Sequence, residues 1–169
     1  MSKYIQAWPA NAAVTLNGDI YIFYYDRFTM QLWCLVKKVE QGPIIKPHGN
    51  PINITKGRAI YHGIVTGFLP NHSSLPLAAA ADPAKGKVWV YYVGDSNVVH
   101  NAWTDDKGTT WATGEAVDAQ VTLKGNYYVS VYYDPNYGEP RIVHVNMDEN
   151  LLCDAYLDDE GWQNDYIHY

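Results

Sequence analysis

Leu77-Ala-Ala-Ala-Ala-Asp-Pro-Ala-Lys-Gly-Lys-Val-Trp-Val-Tyr-Tyr92, continued by Asn97-Val-Val-His-Asn-Ala-Trp-Thr-Asp-Asp-Lys-Gly-Thr-Thr-Trp111, decides the fold because the chain repeats its punctuation. Val129-Ser-Val-Tyr-Tyr-Asp-Pro135, Pro140-Arg-Ile-Val-His-Val145 and Asn150-Leu-Leu-Cys-Asp-Ala-Tyr-Leu-Asp-Asp-Glu-Gly-Trp162 carry the same marks in the same order. Asp82-Pro83 matches Asp134-Pro135, Asp105-Asp106 matches Asp158-Asp159, and Gly108 with Trp111 matches Gly161-Trp162. Each copy reads as four short strands parted by turns, and a repeat of roughly fifty residues built this way is the signature of a propeller blade.

Working outward, a more diverged copy precedes these two. Ala12-Ala-Val-Thr-Leu16 and Ile20-Tyr-Ile-Phe-Tyr-Tyr-Asp26 flank Asn17-Gly18, a strong short-range hairpin signal. Met30 to Val36 reads as its third strand and Pro43 to Lys46 as its outer one. The blade-like repeats therefore span about 10–46, 77–114 and 127–169 within one domain, 1–169. Between the first two, Pro and Gly at 47, 49, 51, 57, 63, 67, 70 and 76 break any long regular element. That stretch, 47–76, reads as an irregular loop with room for a short strand at Ile60–Val65. No segment sustains a helical period, so the fold class is all-β. Three blades do not close a ring, which takes about four to eight. Two copies supply six, so the expectation is a homodimer or else that the chain is a fragment of a longer one.

Composition narrows the function. The net charge of −6 comes with no run of Lys or Arg, so nucleic acid and anionic membranes are not expected partners. The first residues, Met1 to Pro9, carry no basic-then-apolar signal region. The reading is a cytoplasmic chain, or a secreted one if the sequence is a mature form. Fifteen Tyr and six Trp against three Phe give the aromatic surface polar handles suited to half-wet sites, although strands prefer such residues in any case. Cys34 and Cys153 lie far apart in third-strand segments, where a small buried hydrophobe is the expected role.

The sequence Ser74-Leu-Pro-Leu-Ala-Ala-Ala-Ala81, Val88-Trp-Val-Tyr-Tyr92, Asn97-Val-Val-His-Asn-Ala-Trp103 and Trp111 resembles a blade of the fungal fucose-specific lectins, six-bladed propellers. The resemblance implies pockets between adjacent blades. In each, an Arg opening the second strand and a Glu in the third bond sugar hydroxyls, and an aromatic ring covers the sugar's apolar face. Carried over, the Arg position falls on Tyr21, Trp89 and Arg141, and the Glu position on Leu32, His100 and Cys153. No repeat is therefore expected to hold both members of the pair. The aromatic candidates are Trp33, Trp103 and Tyr156 on third strands, with Trp111 and Trp162 opening the outer ones.

Two functions follow from these substitutions. In the first, the chain is a carbohydrate-binding module of changed specificity, with Trp89 and His100 in one pocket and Arg141 in another. In the second, a lectin-derived scaffold binds a small hydrophobic molecule and promotes a cyclisation or cycloaddition, as an enzyme of fungal specialised metabolism. Such catalysis rests on orientation and leaves no motif. Its general acid or base would be His100. No Ser-His-Asp order, metal-ligand spacing or Gly-rich phosphate loop is visible, so neither metal nor cofactor is expected. The acidic turns at Asp105-Asp106 and Asp158-Asp159-Glu160 read as hairpin caps.

Overall fold

In a computed structural model, residues 7–26, 28, 31–38, 52–54, 77–93, 99–114, 117, 129–146 and 149–168 are described. They form strands and turns with no helix, in three four-stranded antiparallel sheets. The first holds β1 (Ala7–Leu16), β2 (Asp19–Asp26), β3 (Leu32–Lys38) and β4 (Ile52–Asn53). The second holds β5 (Leu77–Asp82), β6 (Lys87–Val93), β7 (Val99–Thr104) and β8 (Ala112–Thr113). The third holds β9 (Val129–Asp134), β10 (Glu139–Asn146), β11 (Leu151–Asp158) and β12 (Gly161–Tyr166). Every sheet is a meander in chain order, and the three are laid side by side like propeller blades, with β1 against β5 and β5 against β9.

Turn chemistry explains the punctuation. Asn17 and Gly18 have φ of 50° and 84°, the two positive values that a type I′ hairpin demands and that Asn-Gly supplies at little cost. In the second sheet the Asp82 carboxylate accepts hydrogen bonds from the N–H of Ala84 (2.8 Å) and of Lys85 (3.1 Å). In the third, Asp134 accepts from the N–H of Asn136 at 2.9 Å. The Asp-Pro pairs are thus turns closed by their own aspartate. Asp106 is spent in the same way, on the N–H and hydroxyl of Thr110 and the hydroxyl of Thr104. These bonds hold its carboxyl at about 2 although burial pushes the other way.

The alanine run in β5 goes against propensity, since Ala is the best helix former. Packing explains it. β5 is the inner strand of the middle sheet and touches β1 on one side and β9 on the other. Only small side chains let three backbones converge there.

Two cores result. Tyr21, Phe23, Tyr25, Leu32, Cys34 and Ile54 of the first sheet meet Val88, Val90, Tyr92, Ala102 and Trp111 of the second. On the second sheet's other face Trp89, Tyr91 and Val99 meet Ile142 and Ala155 of the third. Cys34 and Cys153 are both free thiols, fully buried in different sheets.

The outer strand of the first sheet differs from expectation. It is Ile52–Asn53, inside the stretch read as an irregular loop, paired Trp33 to Asn53 and Cys34 to Ile52. Ile54 follows it into the core, fully buried, with its N–H on the Leu32 carbonyl at 2.9 Å. Two residues bounded by prolines and glycines carry no periodicity to read. The expected strands at Pro43–Lys46 and Ile60–Val65 lie outside the described residues.

Candidate functional site

Strand pairing fixes which side chains share a face. Counted from the first hairpin of each sheet, Tyr21, Trp89 and Arg141 occupy equivalent positions, two residues beyond Asp19, Lys87 and Glu139. Their neighbours on β3, β7 and β11 follow by alternation: Cys34, Asn101 and Asp154 lie on the same faces. Three copies of one position therefore change from Tyr with Cys, to Trp with Asn, to Arg with Asp.

This register corrects the expected third-strand positions. His100 pairs with Tyr92 and stacks on it at 5.9 Å, on the face turned to the first sheet. Trp89 is on the opposite face, so the two do not share a pocket. Cys153 pairs with His144 and is likewise on the face away from Arg141. A slip of one residue moves a side chain across the sheet, and the expectation was one residue out in both repeats. His100 therefore has no place beside Trp89 as a general acid or base. His144 is buried, with Nε2 at 2.9 Å from Oδ1 of Asn164. His48, His62 and His72 lie outside the described residues.

Between the first and second sheets the position is closed. Tyr21 is 1 % exposed, and the Gly108 turn sits on it. A Cβ at Gly108 would be 3.3 Å from Tyr21 Cε1 and 3.0 Å from Val36 Cγ2. Trp111 is in this core, edge-to-face on Phe23 at 5.5 Å. Its indole N–H is buried without an acceptor. Trp111 is a packing residue there and lines no opening. Trp33 is on the outer face of the first sheet, paired with Tyr24, and is not brought to the seam.

Between the second and third sheets a cleft of about 260 Å³ remains. Trp89, Trp103 and Trp162 line it with Lys87, Asn101 and Glu139. Lys87 Nζ is 4.6 Å from the Trp89 ring centre and 4.3 Å from that of Trp103, a geometry in which two π-faces hold a cation. Trp89 also stacks on Tyr133 at 6.0 Å, nearly parallel. Tyr133 donates its hydroxyl to the buried Asp82 at 2.7 Å, a polar link between the sheets. Asn101 Oδ1 is buried with no donor. A Cβ at Gly114 would fall 1.8 Å from that oxygen, so only glycine fits beside it. Lys87, Asn101 and Glu139 were not singled out in the sequence, but alternation from Trp89 reaches Lys87, and the register then reaches Asn101.

The outer face of the third sheet holds an ionic version. Asp154 Oδ2 accepts from Arg141 Nε at 2.8 Å and pairs with Nη2 at 2.6 Å. The guanidinium lies over the rings of Tyr156 (4.5 Å) and Tyr137 (4.8 Å). The Tyr132 hydroxyl donates to the same oxygen at 3.3 Å. One repeat therefore does place an Arg beside a carboxylate, and Asp154 in the third strand was the missed partner.

No protein-family model and no curated protein matches the sequence. Solved structures do resemble the fold. A variant of the Aleuria aurantia lectin, in complex with alpha-methyl-L-fucoside, superposes with a TM-score of 0.59 at 12 % identity over 94 % of this chain and 44 % of that one. AofleA from Arthrobotrys oligospora gives 0.53 at 12 % identity, over 92 % and 42 %. The chain thus spans less than half the length of these two proteins, and its three sheets have the fold of β-propeller lectins.

Proposed function

We propose that the chain binds carbohydrate in the cleft between the second and third sheets, with a specificity other than that of a pocket built on Arg and Glu. The observation that carries this reading is the joining of three indoles with one cation and one carboxylate, Lys87 and Glu139, around one opening. The apolar C–H face of a sugar ring stacks on an indole, and its hydroxyls accept from Lys87 and donate to Glu139. The cleft is below the about 300–1,000 Å³ of drug-sized pockets, which suits a single sugar ring. Similarity to lectin structures supports the class of ligand. Trp89, standing where Arg141 stands in the third sheet, supports the change in specificity.

A glycan array tests the proposal. Saturable binding is expected, lost on Trp103→Ala and weakened about tenfold or more on Lys87→Gln, the change of one charge-assisted hydrogen bond. An array blank for the wild-type protein, or binding indifferent to both substitutions, overturns it.

A further inference from the structure

We propose that the sugar taken by the cleft carries an acetamido group, held through its amide by Tyr91 and Asn101 and through its methyl by Leu157 and Trp162. This deepens the carbohydrate reading above and rests on it. The wall behind Trp89 is already satisfied, since the Tyr133 hydroxyl is given to Asp82. Two side chains on the second sheet's wall of the cleft are not. Tyr91 and Asn101 both line it and are directly opposed on β6 and β7, which brings their side chains within reach of one small group. Tyr91 is 2 % exposed, yet its hydroxyl is not among the fully buried atoms and has no hydrogen bond to any described residue. What little of the side chain is open therefore faces the cleft. Burial, and after it the Glu139 charge, raise the phenol's ionisation, so it stays a neutral hydroxyl that can both donate and accept.

Asn101 is oriented by its neighbour. Its Oδ1 is turned onto Gly114 and buried, which leaves Nδ2, with no acceptor among the described residues, to the cleft. A secondary amide answers both groups at once, its carbonyl accepting from Asn101 Nδ2 and its N–H donating to the Tyr91 oxygen. The carboxylate of an acidic sugar could accept from both as well, but Glu139 at the same opening opposes a second negative charge. On the third sheet's wall Leu157 pairs across strands with Trp162, and both line the cleft. Trp162 packs on the core of this seam, while Leu157 is 44 % exposed. An unsubstituted hexose has only hydroxyls at its rim and leaves that leucine uncovered. An acetamido methyl covers it while the amide stays on the polar pair.

Titration calorimetry of the wild-type protein with a methyl 2-acetamido-2-deoxyhexoside and with the parent methyl hexoside tests this. The acetamido sugar is expected to bind about tenfold more tightly, the difference that one or two hydrogen bonds make. Tyr91→Phe, which keeps the ring, and Asn101→Asp, which keeps the shape, are each expected to bring the ratio of the two affinities towards one. Saturation-transfer NMR on the wild-type protein is expected to give the acetyl methyl the strongest signal, and it decides the matter if neither variant folds. Sugar binding with no preference for the acetamido form, a preference that survives both substitutions, or an acetyl methyl that receives no saturation each overturns this inference and leaves the carbohydrate reading standing. Failure of every sugar on the array to bind overturns both.

Discussion

The seam between the first and second sheets and the seam between the second and third descend from the same repeat, yet one is sealed and the other is open. At the first, a glycine turn closes over Tyr21 and Val36, and Trp111 is edge-on to Phe23. At the second, Trp89 is held from behind by Tyr133 while Trp103 and Trp162 leave a gap. The seams are also joined differently. The first is an apolar core, and the second adds the Tyr133–Asp82 bond and the Lys85 ammonium on the Gly138 carbonyl at 3.1 Å. A polar link sets the distance between two sheets without filling the space between them, which is how a pocket survives in a fold that otherwise packs shut.

The largest expected effect breaks this comparison directly. Phe23→Ala, at a fully buried site in the closed seam, should cost about 3–5 kcal/mol, whereas Trp103→Ala, half-buried in the open one, should cost roughly 1–2 kcal/mol yet abolish ligand binding. Urea unfolding of both variants checks it, and equal losses would mean that the seams are not specialised. Next is Gly108→Ala. Its φ of 82° and the contact with Val36 predict a loss of about 1–3 kcal/mol with sugar binding at the other seam unchanged.

The smallest effect concerns acid. Burial alone would raise the Asp82 carboxyl, but the Tyr133 hydroxyl and the N–H groups of Lys85 and Ala84 hold it below its ordinary 3.8. A depressed carboxyl stabilises the fold fully above its unfolded value and loses that contribution as pH falls through the folded one. Melting temperatures taken from about pH 5 to about pH 2 should therefore fall more steeply for the wild type than for Tyr133→Phe. Parallel curves would show that the link does not couple the sheets.

How much of this was legible in the sequence depended on the length of the signal. The Asp-Pro and Asn-Gly turns were readable because each is a local chemical event, fixed by a side chain bonding its own backbone or by positive φ, and the Val-Trp-Val-Tyr-Tyr run because β-branched and aromatic residues favour strands. The outer strand at Ile52–Asn53 was not, since two residues make no pattern. Pocket membership failed at His100 and Cys153 for a different reason. Alternation says that neighbours face opposite ways, but which way is set by pairing with β6 and β10, a non-local fact. Trp33 and Trp111 are tryptophans like Trp103, and only the packing distinguishes a core indole from a pocket wall.

The meander order of each sheet has a consequence for how the chain reaches this state. Every strand pairs only with its neighbours in sequence, so apart from the connection over 39–51 that precedes β4, no sheet has to close a long loop before its hydrogen bonds form. Ordering entropy for distant contacts is spent once per seam, when finished hairpins come together. Each seam then behaves as a nearest-neighbour coupling between units that hold their own shape. A repeat built this way tolerates change in one seam without re-threading the next.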